Sequence, residues 1–64
     1  MSIGETVKRL RQQNGMTQKE LGERVGVTTA MICQIERGSR VLSLPVAKDM
    51  TAVLQCSLEE LCEA

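Results

Sequence analysis

The stretch "LGERVGVTTAMICQIERG", residues 21–38, decides the fold. Its apolar residues recur at helical spacing, yet Gly22 and Gly26 interrupt the pattern. Division at the second glycine gives two short helices. The first spans Gln18 to Val25, with Leu21 and Val25 inward, and Gly26 falls where a left-handed residue ends a helix. Thr28 can cap the second, Thr29 to Arg37, with Ile32 and Ile35 inward and Gly38 closing it. Only Gly26, Val27 and Thr28 separate the two helices. So short a link forces a sharp crossing and excludes a long antiparallel hairpin. A mid-helix glycine costs roughly 1 kcal/mol against alanine, so Gly22 is expected to have a packing reason. Helices that cross sharply need a small residue at their closest approach.

The sequence around this stretch is also helical. Ser2-x-x-Glu5, Thr17-x-x-Glu20 and Ser57-x-x-Glu60 each fit the capping box, in which a hydroxyl and a carboxylate exchange bonds with backbone amides. The pattern predicts helix 1 from Ile3 to Gln13, with Ile3, Val7 and Leu10 on one face and Asn14-Gly15 as the turn that ends it. Residues 39–43 form a loop, and Ser43 can cap helix 4, which tolerates Pro45 in its first turn. Ala47, Met50 and Leu54 make the buried stripe of helix 4. Helix 5 is short, Leu58 to Cys62, with Leu58 and Leu61 inward. There is no strand pattern or internal repeat, so the chain is all-α, and 64 residues suffice for one domain, residues 1–64.

Composition narrows the function. Without Phe, Tyr or Trp the core is aliphatic, with little room for a deep substrate pocket. There is no His, no phosphate-binding loop and no acid pair in a recognisable catalytic motif, which argues against an enzyme. Cys33, Cys56 and Cys62 are odd in number and lack CxxC spacing. They suit free thiols in a reducing cytoplasm better than a disulfide framework or a metal site, and no cofactor is implied. No signal peptide or membrane-length apolar run is present. The formal net charge is zero, but its distribution is uneven. Residues 1–40 carry seven bases and four acids, and residues 41–64 carry one base and four acids, Glu63 among them. A basic front with an acidic tail is compatible with a polyanionic partner in a way that the zero total hides.

The segment from Gln18 to Arg37 resembles the helix-turn-helix of Cro/C1-type phage repressors, the Xre family. Leu21 and Val25 match its inward positions, Gly22 its small crossing residue, and Gly26 its turn glycine. Val27, Ile32 and Ile35 match its apolar anchors, and "IERG", residues 35–38, is a common ending. "VKRLRQQNGMTQKEL" (residues 7–21) and "SLPVAKDMTAVLQCSLEEL" (residues 43–61) extend the likeness over nearly the whole chain. Pro45, Gln55 and Cys56 depart from it, the last two standing where Gly-Val is common. The resemblance implies a compact five-helix bundle of the lambda-repressor-like kind, with helix 3 in the DNA major groove.

The resemblance also implies roles for particular residues. Base-reading positions map to Thr29, Ala30 and Gln34, and Met31 and Cys33 could add apolar contacts. Inward Ile32 and Ile35 leave positions 29, 30, 33, 34 and 37 on the other faces. Gln34 can donate and accept at once, which suits adenine's N6/N7 edge, whereas Thr29 can bond a base or touch a thymine methyl and Ala30 can only touch apolar groups. Phosphate positions map to Gln18 and Thr28 at helix starts and to Arg37, Ser39 and Arg40 after helix 3. Lys19 is either a further phosphate contact or a solvated lysine. Arg11 and Glu36 match a family ion pair that ties helix 3 to the scaffold, with a phosphate as a second role for Arg11. Val41, Leu42 and Leu58 are the expected dimer surface.

The expected function is a cytoplasmic, sequence-specific DNA-binding transcriptional regulator. It would repress as a homodimer on double-stranded DNA, at an inverted-repeat operator whose half-sites lie about one turn apart. The alternative is an antitoxin or another protein-interaction module on the same fold, favoured by the zero net charge and the apolar Thr29-Ala30-Met31 surface.

Overall fold

The computed structural model describes residues 2–62, and nothing is described of Glu63 or of the Cys62 side chain. Five helices follow in order: α1 (Ile3–Gln13), α2 (Gln18–Val25), α3 (Thr29–Arg37), α4 (Leu44–Leu54) and α5 (Leu58–Cys62). Among the described residues there is no strand, and no helix is long and apolar enough to cross a membrane. α3 packs against both α1 and α2, α2 against α4, and α5 against α4 and α1.

Local chemistry sets the helix starts. The Glu5 N–H donates to Ser2 Oγ at 3.2 Å, and the Ser2 N–H donates back to Glu5 Oε1 at 3.2 Å. Thr17 and Glu20 exchange the same pair of bonds, each at 3.1 Å. Backbone donation from Ser2 and Thr17, followed by their side-chain bonds, holds the Glu5 and Glu20 carboxyls below the usual carboxylate range. A lowered folded-state value means that this support is present above the unfolded-state range and is lost as pH falls through the folded-state value. Ser57 Oγ accepts from the Glu60 N–H at 3.0 Å. Ser43 corrects the sequence expectation: its backbone is extended, but its side chain makes no capping bond. Pro45 is the second helical residue and has no N–H, which removes one of the two amides such a cap bonds.

The helix ends are set by backbone geometry. Gly26 has φ +79°, and the next amide, that of Val27, returns to the Gly22 carbonyl at 2.8 Å. α4 ends the same way on Gln55, whose φ is +56°, with the Cys56 N–H on the Thr51 carbonyl at 3.1 Å. Gln55 is the only non-glycine at positive φ among the described residues. That conformation costs an L-residue roughly 1–2 kcal/mol.

The core is aliphatic throughout. Val7 and Leu10 enter it from α1, Leu21 and Val25 from α2, Ile32 and Ile35 from α3, Ala47, Met50 and Leu54 from α4, and Leu61 from α5. Met16, in the first turn, joins them. Two expected inward residues are not buried: Ile3 is 37% exposed and Leu58 38%. Each is the first residue of its helix, at the edge of the packed layer. Asn14 also does more than end α1. Its side-chain amide donates to the Leu10 carbonyl at 2.8 Å and to the Leu54 carbonyl at 3.2 Å, tying the end of α4 to the end of α1.

Two glycines mark where backbones nearly touch. A Cβ on Gly22 would lie 2.7 Å from the Val27 carbonyl oxygen and 3.3 Å from that of Thr28. Gly22 therefore clears the chain that enters α3. Gly4 faces a tighter contact. A Cβ there would collide with the Ile35 carbonyl oxygen and lie 2.7 Å from that of Glu36. The end of α3 thus also approaches α1 closely, through a glycine outside the helix-turn-helix. Gly4→Ala is expected to destabilise the domain by about 1–3 kcal/mol, although alanine is the better helix former. Gln55→Gly should stabilise it by about 0.5–1 kcal/mol, the left-handed cost less the entropy of glycine. Urea denaturation followed by circular dichroism measures both; opposite signs would overturn the two assignments.

Candidate nucleic-acid interface

α3 presents a divided surface. Ile32 and Ile35 are turned into the core, while Thr29, Ala30, Gln34 and Arg37 are exposed. Ala30 and Gln34 lie one turn apart on one face. Met31 and Cys33 are half-buried beside it, and Met31 packs partly against the core. The outward face therefore offers one hydroxyl, one primary amide and a methyl, with Arg37 at its end.

This face is held in place by one carboxylate. The Glu36 side chain is 3% exposed. Its Oε2 accepts from Arg11 Nε at 2.7 Å and its Oε1 from Arg11 Nη2 at 3.1 Å, a bidentate pair. Arg11 Nη1 donates to the Met16 carbonyl at 2.8 Å. Gln18 Nε2 donates to Glu36 Oε1 at 3.1 Å. The end of α3 is thereby joined to the end of α1, to the first turn and to the start of α2. Neither the Gln18 bond nor the Met16 acceptor follows from the sequence pattern, since both depend on how the turn folds back. Arg11 is 9% exposed, with its guanidinium turned onto these partners, which leaves little of it for a phosphate.

The remaining phosphate candidates flank α3. Thr28 Oγ1 accepts from the Met31 N–H at 3.1 Å, and its hydroxyl hydrogen stays available to donate. The Gln18 and Lys19 amides begin α2, where the first turn leaves N–H groups without intrahelical acceptors. Lys19 and Arg37 are exposed. Ser39 folds back on α3: its N–H donates to the Gln34 carbonyl at 2.9 Å, and its hydroxyl donates there at 3.2 Å. Arg40 follows, and its Nε donates to the Gln34 side-chain oxygen at 3.1 Å. Helical periodicity gave no hint of that contact, which the turn after Gly38 creates.

The apolar candidates for a second interface lie past α3. Val41 is 90% exposed, Leu44 58% and Leu58 38%, and Leu42 is half-buried against the core. Ile3, Gly4, Ile35, Val41 and Leu42 line a shallow cavity of about 260 Å³.

The chain as a whole is similar to known proteins. The helix-turn-helix family model matches residues 7–61. The uncharacterised HTH-type transcriptional regulator YgzD of Bacillus subtilis (strain 168) is 39% identical over 54 residues, covering 84% of this chain and 82% of that protein. The P22 c2 repressor, solved with the synthetic operator 9T, superposes with a TM-score of 0.93 at 28% identity, over 98% of this chain and 96% of that one. SinR from Bacillus subtilis, the master regulator for biofilm formation, has been solved with DNA and is similarly close. Its TM-score is 0.86 at 32% identity, over 92% of this chain and 95% of that one. In the SinR/SinI complex the TM-score is 0.87 at 32% identity, over 92% of this chain and 58% of that one.

Breaking a desolvated ion pair by removing one partner typically costs roughly 3–5 kcal/mol, whereas replacing both with apolar residues can be close to neutral. Glu36→Ala and Arg11→Ala are each expected to show such a loss in urea denaturation. Arg11→Met with Glu36→Leu should cost much less than the two losses added. A double-mutant cycle with no coupling would remove the pair as the tie that holds α3.

Proposed function

The chain belongs to the helix-turn-helix family, of the Cro/C1 type, and from that premise we propose that it is a cytoplasmic, sequence-specific DNA-binding transcriptional regulator. It acts as a repressor, with α3 in the major groove of an inverted-repeat operator. The observation that carries this reading is the outward face of α3. Thr29, Ala30 and Gln34 are left exposed while Glu36, in the last turn of the helix, accepts three hydrogen bonds from Arg11 and Gln18. A face held this rigidly can meet base edges in one register. In this role Gln34 hydrogen-bonds a base, Thr29 and Ala30 meet a base edge or a thymine methyl, and Met31 and Cys33 add apolar contact. Gln18, Thr28, Arg37 and Ser39, with Lys19 beside them, bond the phosphates that fix position.

So small a contact surface favours two copies on one operator. Val41, Leu42 and Leu58, with exposed Leu44 between them, form the surface on which the copies meet. The acids of the last helix, Glu59 and Glu60, keep that side away from the phosphates by repulsion.

A second reading, as an antitoxin or another protein-interaction module, draws on the SinR/SinI complex and on the exposed apolar Val41 and Leu44. Salt separates the two. Two phosphate-bound cations per protomer in a dimer, Lys19 and Arg37, imply that log K falls against log salt with a slope of about −4. DNA binding absent even at low salt would favour the interaction module. Gln34→Ala is expected to cost about 1–3 kcal/mol and to relax preference at one position of each half-site. Sedimentation with a selected operator should give two protomers per site, and one per site at saturation would overturn the dimer.

A further inference from the structure

We infer that Arg40 is a specificity-determining residue that acts with Gln34 as a single reading head, and that this head selects guanine. The inference rests on the DNA-reading role proposed for α3. Its starting point is the way α3 ends. The Gly38 N–H closes on the Ile35 carbonyl at 3.1 Å, and the Ser39 N–H closes on the Gln34 carbonyl at 2.9 Å. The Ser39 hydroxyl adds a second bond to that carbonyl at 3.2 Å. This turn reverses the chain over the last turn of α3 and brings the Arg40 side chain back to Gln34. There Arg40 Nε donates to Gln34 Oε1 at 3.1 Å.

The contact changes what Gln34 can read. A free glutamine meets adenine with both ends of its amide: the nitrogen donates to N7 and the oxygen accepts from the N6 amino group. Here the oxygen already faces a guanidinium. Adenine's amino hydrogens would have to approach that oxygen beside a cation, against like-signed charge. The Gln34 nitrogen still carries its two donors, and the Arg40 Nη groups add more. The composite edge is therefore donor-rich. Guanine is the purine whose major-groove edge carries two acceptors, N7 and O6, and no donor. Both residues are exposed.

A plain phosphate clamp behaves differently. Its loss weakens binding to all sequences alike and reduces the salt slope, with no effect on which base is chosen. Lysine would largely replace arginine in that role. In the reading head it would not, because an ammonium lacks the planar fork that both bonds Gln34 and extends past it.

The test is selection of binding sites from random duplexes by the full chain and by Gln34→Ala, Arg40→Ala and Arg40→Lys. The position that Gln34→Ala relaxes should be guanine for the unaltered chain, favoured over adenine by about tenfold or more, the discrimination of one good base contact. Arg40→Ala should move that position toward adenine. Arg40→Lys should also lose the guanine preference, with a smaller loss of overall affinity. An adenine preference in the unaltered chain, or a guanine preference that survives Arg40→Ala with affinity falling equally on all sequences, would overturn the inference and leave Arg40 a phosphate contact. A position unaffected by any Gln34 change would remove Gln34 from base reading and the pair with it. Failure to select any sequence would instead overturn the DNA-binding function itself.

Discussion

A single carboxylate, that of Glu36, organises the helix-turn-helix. It is a charge almost removed from water, and such a charge is tolerable only when it is paired and hydrogen-bonded. Arg11 supplies two donors and Gln18 a third. Those donors come from two other helices, so the carboxylate is satisfied only when three elements are in place together. Apolar packing at Ile32 and Ile35 leaves a nine-residue helix free to slide or rotate by small amounts. A bidentate fork does not, because its bonds are directional.

Much of the fold can be read from the sequence because its signals are local. A capping hydroxyl and the carboxylate three residues later, or a glycine after an apolar turn, act within a few residues. The limits of α1, α2 and α3 and the start of α5 follow from them. What the sequence conceals is decided between elements. Ile3 and Leu58 have the right spacing but stand at helix edges, where no neighbour covers them. Met16 lies between α1 and α2, outside any helix, yet it is buried in the core. Gly4 resembles an ordinary residue of the first helical turn until the carbonyls of Ile35 and Glu36 are placed against it.

The surface of α3 divides in the same way. Helical period alone puts Thr29, Ala30 and Gln34 outside once Ile32 and Ile35 are inside. It says nothing about which side chains meet across a turn. Gln18, expected at a phosphate, rests on Glu36 in the free chain, and Arg40 rests on Gln34. Both contacts come from chain reversals whose geometry spacing does not encode. Each gives a prospective DNA contact an internal partner that holds it in one orientation before a ligand arrives, which lowers the entropy lost on binding.

The Asn14 amide has a consequence for how the chain opens. Its two donors join the carbonyls of Leu10 and Leu54, the second of them forty positions along the chain from Asn14. The Leu54 carbonyl ends α4 and has no acceptor role inside that helix, so the bond uses a group that would otherwise be left to solvent. Fraying of the last two helices therefore breaks a polar contact at the end of the first. In hydrogen-exchange terms the bond couples the ends of α1 and α4, so their slowest amides are expected to share a common opening.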